Sequence, residues 1–202
     1  MGESLAAWVA DVIQASGYPG VALLMFAENL FPPIPSEVIL PLAGFLVYQG
    51  ELRFVPALVV ATVGSLAGAL VLYALGRWGG RTLVLRYGRL LRVRESDLDR
   101  ADAWFDRYGE AVVLLGRMVP GVRSLVSIPA GLAEMPVKRF VVLTVLGSGA
   151  WNTLLIGAGW QLGENWSRLS GVVGSVSNAV LAILAVAVVV LVMWWWRGSR
   201  IH

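Results

Sequence analysis

The stretch Arg117-Met118-Val119-Pro120-Gly121-Val122-Arg123 places two arginines around a proline–glycine break within otherwise apolar sequence. Uncharged and mostly apolar residues flank it at 111–116 and 124–133. A cation at membrane depth costs about 2.5–3.5 kcal/mol or more on insertion scales, so an intramembrane arginine is by default a candidate functional residue. The stretch therefore predicts a backbone that is broken inside the membrane, with two guanidinium groups facing an anion.

The composition of the whole chain supports a membrane location. Of 202 residues, 57% are apolar and 14% are charged, whereas ordinary globular proteins carry about 25% charged residues. Three runs, 54–76, 140–163 and 171–196, contain no charged residue, and roughly 20 apolar residues span a hydrocarbon core. These features predict an all-α, multi-pass membrane protein whose residues 1–202 form a single membrane domain.

Several function classes are disfavoured by what the sequence lacks. Cysteine is absent and the one histidine is the last residue, so the usual metal ligands and general base are missing. We find no nucleophile–base pair and no phosphate-cradling motif, and we expect neither an enzyme nor a cofactor or metal site. The basic excess of the chain indicates membrane topology rather than nucleic-acid binding.

A second broken region lies near the start of the chain, between the short apolar arms 18–27 and 38–50. Neither arm is long enough to cross the membrane alone. Between the arms stand Glu28 and Glu37, together with the residues that we expect to shape a hairpin: Asn29, Pro32, Pro33, Pro35 and Ser36. The region around Arg117 has the same design of short arm, break and short arm.

Charge counting predicts that the arginine region is a re-entrant hairpin. The segment 77–107 carries eight arginines, and Arg197 and Arg200 follow the last apolar run. The positive-inside rule places both segments in the cytoplasm, which requires an even number of crossings between them. Two full spans lie between, so the arginine region must return to its own side. Twelve basic residues then fall inside and two, Arg53 and Arg168, outside.

The two halves of the chain also resemble each other. Short matching pairs are 41–44 with 129–131, 53–54 with 139–140, and 64–65 with 147–148. We therefore predict two opposed re-entrant helical hairpins, each followed by a transmembrane helix, as an inverted repeat of the kind that forms midplane sites in transporters. Its parts are repeat 1 (17–77), a cytoplasmic connector of amphipathic helices (78–107), repeat 2 (108–163) and a C-terminal span (171–197). Small-residue patches at 64–68 and 147–150 are compatible with packing inside the fold or with a homodimer.

The charged residues of the two hairpins suggest a chemistry. Arginine forks onto phosphate or carboxylate, and a broken tip at Pro120 and Gly121 exposes backbone N–H groups that favour anions. A carboxylate out of water is hard to ionise until a cation approaches it, so Glu28 and Glu37 are candidates for proton coupling. One alternative is that the arginines and glutamates only pair to hold the hairpins together. Glu37 also fits the first turn of a helix.

The residues 26–37 and 116–123, followed by Ala130-Gly131, resemble the two signatures of DedA-family membrane proteins, which share the VTT or SNARE-associated domain. The resemblance covers about 17–166 and implies opposed re-entrant hairpins and lipid translocation. In bacterial members it implies recycling of polyprenyl (undecaprenyl) phosphate driven by the proton-motive force. It also implies functional roles for the positions of Glu28, Glu37, Arg117 and Arg123. Some members carry the second acid further along the chain than Glu37.

These observations lead to one functional hypothesis with rivals. We expect a transporter of the plasma (inner) membrane with a cytoplasmic C-terminus that flips polyprenyl phosphate in a proton-dependent way. Lipid phosphate would bind at Arg117, Arg123, Pro120 and Gly121. The rivals are a proton-coupled transporter of a small ion or osmolyte, a phospholipid scramblase, and a membrane scaffold.

Overall fold

The computed structural model describes residues 2–31, 36–79, 95–119 and 122–163, and every regular element in these ranges is a helix. The helices are α1 (Gly2–Ser16), α2 (Tyr18–Leu30), α3 (Ser36–Tyr48), α4 (Phe54–Ala74), α5 (Glu95–Gly116), α6 (Val122–Leu125), α7 (Ser127–Leu132) and α8 (Val137–Gln161). A π-helical turn, Leu75–Gly79, extends α4. The predicted all-helical class is confirmed for the described residues.

Two long helices form the centre of the fold. Phe54–Gly79 and Val137–Gln161 are long and apolar enough to cross a membrane, as the first two uncharged runs predict. They lie antiparallel, because Phe54 contacts Trp160 at one end (ring centroids 6.0 Å apart) and Tyr73 stacks on Phe140 at the other (4.6 Å). The predicted C-terminal span 171–197 and the connector residues 80–94 lie outside the described residues.

Helices α2 and α3 are the two arms of the first broken region. Pro19 stands at the start of α2, where its missing N–H costs no helical hydrogen bond. Each arm has 13 residues and is therefore about 20 Å long, shorter than the roughly 30 Å of a hydrocarbon core. The break between them puts Glu28 in the last turn of α2 and Glu37 in the first turn of α3.

The second broken region is built from α5, α6 and α7. Helix α5 runs without interruption from Glu95 to Gly116, so it passes through the boundary that we expected near 107 between connector and repeat. Arg117 follows its last turn, and Arg123 lies in the one-turn helix α6. The helix is therefore interrupted between the two arginines, as the proline–glycine break predicts, although Pro120 and Gly121 themselves lie outside the described residues.

The second arm of each broken region packs against the long helix of the other half through glycine. A Cβ on Gly44 of α3 would lie 2.1 Å from the carbonyl oxygen of Ile156, and one on Gly159 of α8 would lie 2.0 Å from that of Pro41. The other arm repeats the arrangement, because a Cβ on Gly131 of α7 would lie 2.1 Å from the carbonyl oxygen of Tyr73. These backbones approach so closely that only glycine fits, as in small-residue packing of membrane helices.

Two apolar clusters flank the middle of the molecule. The first joins α1, α2 and α3 to the N-terminal half of α4 and to Ile156 of α8. The second joins Tyr73 near the end of α4 to Phe105 and Val113 of α5 and to Phe140 of α8. Glu28 lies in α2 of the first cluster, and Arg117 directly follows α5 of the second. The candidate site is therefore held from two sides.

We expect Gly44→Ala to destabilise the fold by about 3 kcal/mol, the upper part of the usual range for overpacking. The added methyl would collide with the backbone oxygen of Ile156, which cannot rotate away. Thermal unfolding in detergent measures the effect. Gly157→Ala is the matched control on α8, since a Cβ there meets nothing within 4 Å. Equal unfolding temperatures for the two variants would contradict this packing.

Candidate functional site

Arg123 connects the two broken regions through an ion pair and a hydrogen bond. Its side chain is 1% exposed, and one terminal nitrogen donates to the Glu28 carboxylate at 3.0 Å. The other terminal nitrogen donates to the Ser36 hydroxyl, also at 3.0 Å. The guanidinium fork of α6 therefore spans the end of α2 and the start of α3. Breaking a buried pair of this kind by removing one partner typically costs about 3–5 kcal/mol.

Arg117 is fully buried, and its contacts with the described residues are all with neutral groups. Its terminal nitrogens donate to the Asn29 side-chain oxygen at 3.2 Å and to the Ser127 hydroxyl at 2.6 Å. The guanidinium carbon lies 5.6 Å from the centre of the Phe140 ring, within the range of a cation–π contact. No described carboxylate lies within ion-pair distance of Arg117. The charge of Arg117 is therefore stabilised by the dipoles of Asn29 and Ser127 and by the face of the Phe140 ring.

Glu28 and Asn29 connect the two arginines. The Asn29 amide nitrogen donates to the Glu28 carboxylate at 3.1 Å and to the carbonyl oxygen of Met25 at 3.0 Å. Glu28 itself is 5% exposed, and its charge interacts with those of Arg117, Arg123 and Glu37. Protonation or binding at one member therefore changes the electrostatic potential at the others, since screening by solvent is weak in a buried site.

Two glycines on the long helices make room for this network. A Cβ on Gly68 of α4 would lie 2.6 Å from the Cβ of Asn29, and one on Gly147 of α8 would lie 2.8 Å from the Cβ of Arg117. The network therefore rests on the middle of both candidate spans. The small-residue patches at 64–68 and 147–150 serve contacts inside the fold at these two positions.

The structure brings together most of the residues that the sequence singled out. Arg117, Arg123, Glu28, Asn29 and Ser36 form one connected set. Glu37 is half-buried, and no hydrogen bond or ion pair joins it to another described residue. The remaining predicted residues, Pro32, Pro33, Pro35, Pro120 and Gly121, lie outside the described residues.

Two contacts of the site escaped the sequence analysis. Ser127 accepts a hydrogen bond from Arg117, and Phe140 lies beside the same guanidinium. A serine and a phenylalanine in apolar helices carry no distinctive pattern. The only available signal was the position of Ser127 within a short apolar arm, four residues after Arg123.

The arrangement is suited to binding an anion. Among the described residues, the two buried arginines have one carboxylate at contact distance between them, that of Glu28 on Arg123, and the other polar partners are neutral. The Nε–H groups of both arginines are buried and have no described acceptor. A tetrahedral oxyanion could take several of these donors at once. No group of His, Asp or Glu among the described residues is placed to hold a metal ion.

Comparison with known proteins places the chain in a family. The VTT domain model matches residues 34–161, which include α3, the second broken region and both long helices. The chain belongs to the DedA family. This DedA-family chain is 42% identical over 183 residues to an alkaline phosphatase-like protein of Lactococcus lactis subsp. cremoris, covering 88% of this chain and 86% of the relative. No solved structure matches the chain.

Two further relatives carry names that describe transport. Undecaprenyl phosphate transporter A of Bacillus subtilis is 37% identical over 175 residues, covering 87% of this chain and 86% of the relative. Undecaprenyl phosphate transporter A of Staphylococcus aureus is 31% identical over 185 residues, covering 90% and 91%. The DedA-family chain is thus a membrane protein of a transporter family rather than an enzyme.

Proposed function

We propose that this protein moves polyprenyl phosphate, most specifically undecaprenyl phosphate, across the plasma membrane in a proton-dependent cycle. The observation that carries the proposal is Arg117, a fully buried cation with no carboxylate at contact distance among the described residues. A buried charge needs partners that offset its desolvation. A lipid phosphate would supply that partner, and the names of the two transporter relatives specify the same head group.

The head group would bind between the two arginines. Arg117 would exchange its neutral partners Asn29 and Ser127 for phosphate oxygens, which accept charge-assisted hydrogen bonds more strongly. Arg123 would turn part of its fork from Glu28 and Ser36 to the same phosphate. The polyprenyl chain would stay in the lipid beside the hairpins, so that only the head group enters the protein.

Proton coupling would follow from competition for Arg123. Ionised Glu28 holds Arg123 in a buried ion pair. When Glu28 takes a proton, the pair loses its Coulomb attraction and the site gains one positive charge, which favours the incoming phosphate. When the lipid leaves, Glu28 ionises and pairs with Arg123 again. Glu37, whose charge acts on Glu28, would assist the same step.

The architecture that we propose is the inverted repeat of opposed re-entrant hairpins. It is supported by two arms that are too short to cross and by the reciprocal glycine contacts of α3 with α8 and of α7 with α4. The contacting glycines Gly64 and Gly76 correspond to Gly147 and Gly159 at a constant offset of 83 residues (147 − 64 and 159 − 76). In this arrangement 77–107 and the C-terminus face the cytoplasm, and the arginines and glutamates meet near the midplane.

A binding measurement tests the head-group site. We expect purified protein in detergent to bind undecaprenyl phosphate and to bind the uncharged alcohol undecaprenol much more weakly, because the phosphate supplies the counter-charge of Arg117. Arg117→Gln should remove this difference. Arg139→Gln is the matched control, since Arg139 pairs with Glu110 on the exposed surface. Equal binding of the two lipids by the unaltered protein would refute the proposal.

A further inference from the structure

A row of buried polar side chains lies where the two long helices cross, beyond the charged site. Thr144, Ser148 and Asn152 follow each other at intervals of four residues on α8, which puts them on one face of the helix. All three are at most 1% exposed. Ser65 of α4 is also fully buried. Neither long helix carries a charged residue in this region, because Lys138 and Arg139 stand in the first turn of α8.

The register of the helices brings these side chains to similar levels. The Asn152 amide nitrogen donates to the Thr62 hydroxyl of α4 at 3.2 Å. Three residues further along α4 stands Ser65, and four residues back along antiparallel α8 stands Ser148. At about 1.5 Å per residue, both lie about 5 Å from the Asn152–Thr62 hydrogen bond in the same direction. The row extends about 12 Å from Asn152 to Thr144.

These side chains have hydrogen-bonding atoms without protein partners. Among the described residues, seven buried side-chain atoms lack a partner, and all belong to this row, its neighbour Trp151 or the two site arginines: Ser65 Oγ, Thr144 Oγ1, Ser148 Oγ, Trp151 Nε1, Asn152 Oδ1, Arg117 Nε and Arg123 Nε. Buried polar atoms in proteins are normally satisfied by protein or by ordered water. A concentration in one place indicates a shared partner.

The chemistry of the unpartnered atoms identifies that partner as water. Within the row and its neighbour, Trp151 Nε1 can only donate a hydrogen bond, whereas Asn152 Oδ1 can only accept one. A metal cation cannot satisfy the donor, and an anion cannot satisfy the acceptor. A buried water molecule donates and accepts, and it typically makes about three hydrogen bonds.

The row leads directly to the charged site. Arg117 lies against α8 between Phe140 and Gly147, on the same stretch of helix as Thr144 and Ser148. We propose that the α4–α8 crossing holds a chain of ordered water molecules that carries protons to Glu28, with the positive charge of Arg117 as the barrier that closes it. This proposal rests on the proposed function in taking Glu28 as the proton acceptor.

The proton path opens only when the positive charge of Arg117 is offset. A fixed arginine repels protons, as it does in pores that exclude them. The charged groups around Glu28 are Arg117, Arg123 of α6 and Glu37 of α3. Of these, Arg117 lies against α8 beside the row, so in the lipid-free site its charge repels a proton arriving along the row. A phosphate bound to the arginines offsets their charge, and a proton can then pass from the last water to a Glu28 carboxylate oxygen. Protonation of Glu28 and phosphate binding therefore favour each other, and the row conducts few protons while no cargo is bound.

The test is a proton-leak measurement without any lipid phosphate. Vesicles of neutral phospholipid contain the protein and a pH-sensitive dye, and a pH step is applied outside. We expect the unaltered protein to hold the gradient and Arg117→Gln to dissipate it. Adding Asn152→Leu to Arg117→Gln should restore tightness. Adding Thr153→Val should not, because Thr153 is exposed on the next position of α8 and bonds only to the carbonyl oxygen of Gly149.

Either of two results would overturn the proposal: Arg117→Gln vesicles as tight as those of the unaltered protein, or a leak that persists unchanged with Asn152→Leu. Radiolytic hydroxyl labelling provides a second measurement on the unaltered protein, in case Arg117→Gln does not fold. Bound water should label Trp151, and Asn152→Leu should reduce that labelling while Trp160 stays unchanged. Unchanged labelling of Trp151 would refute the water chain. Neither assay contains polyprenyl phosphate. Their outcome therefore does not depend on whether polyprenyl phosphate is the cargo, which the binding measurement tests separately.

Discussion

Arg123→Lys is expected to abolish lipid-phosphate transport almost as completely as Arg123→Ala, with a loss of about 100-fold or more, as when one donor of an anion-stabilising site is removed. The Arg123 fork reaches Glu28 and Ser36 with separate nitrogens at 3.0 Å each. A lysine ammonium keeps the charge but is a compact point donor on a flexible stem. It cannot reproduce the two directed hydrogen bonds or the bidentate grip on phosphate.

The measurement is lipid-phosphate flipping by purified protein in vesicles, with folded protein verified by its elution as a single species in detergent. Arg139→Lys is the matched control, because its ion pair with Glu110 is exposed on both sides and such pairs contribute about 0–1 kcal/mol. Near-normal transport by Arg123→Lys would show that the residue acts only as a charge, and bidentate recognition would be excluded.

A paired substitution distinguishes transport from a scaffold role. Replacing both Arg123 and Glu28 by apolar residues of similar size removes a buried ion pair without leaving an unpaired charge, which is often neutral or stabilising. We expect Arg123→Met with Glu28→Leu to recover much of the stability lost in Arg123→Ala and to recover no transport. Recovery of cellular function together with stability would favour the scaffold alternative.

Glu28→Gln is expected to remove the proton dependence of transport while the protein stays folded and still binds lipid phosphate. The amide has the size of the protonated acid, and its oxygen can still accept the hydrogen bond from Arg123. The ion pair is lost, so the site is fixed in its proton-bound charge state. Binding of phosphate should strengthen or stay level, because a competing negative charge is gone, and turnover should fall because Arg123 is no longer recaptured.

The direction of the pH effect on phosphate binding follows from the competition between Glu28 and phosphate for Arg123. In the unaltered protein, rising pH ionises Glu28, restores its pair with Arg123 and weakens phosphate binding. In Glu28→Gln the binding should not change over the same pH series. Glu110→Gln is the control, since Glu110 is an exposed acid with an arginine partner. Joint loss of folding and binding in Glu28→Gln would make Glu28 a structural partner only and would refute the coupling mechanism.

Much of this arrangement could be predicted because it depends on charge and helix length. Uncharged runs of 23 and 24 residues locate α4 and α8, since charge is expelled from a hydrocarbon core. Prolines and paired charges locate the two breaks, because proline interrupts a helix and a charge is costly at membrane depth. The convergence of Glu28 with Arg123 follows from the cost of leaving either charge alone in a membrane.

Other parts of the site carry no such signal. Asn29 and Ser36 were predicted to shape a hairpin, yet their side chains are direct hydrogen-bond partners of Arg117 and Arg123. Ser127 and the polar row on α8 were not recognised at all. A hydroxyl or amide side chain in an apolar helix is not a distinctive sequence signal, because such a side chain can simply bond its own backbone. Only the register of α4 against α8 shows that Ser148 and Asn152 face the buried side.

The continuous course of α5 crosses the expected boundary between connector and repeat. The charged residues of 95–107 suggested a connector separate from the apolar residues after 108. The two halves join in one 22-residue helix, because no proline interrupts the segment and a helix satisfies its own backbone hydrogen bonds in water and in lipid. A change of polarity along a helix therefore marks a membrane boundary without marking a break.

The central claim is tested most directly by following polyprenyl phosphate between the leaflets of sealed vesicles that contain the protein. A membrane-impermeant phosphatase added outside removes phosphate only from head groups in the outer leaflet. With a proton gradient, we expect hydrolysis to continue past the outer-leaflet pool at a rate set by the protein and to slow when the gradient is collapsed. Hydrolysis that stops at the outer-leaflet pool, with or without a gradient and despite folded protein, would contradict it.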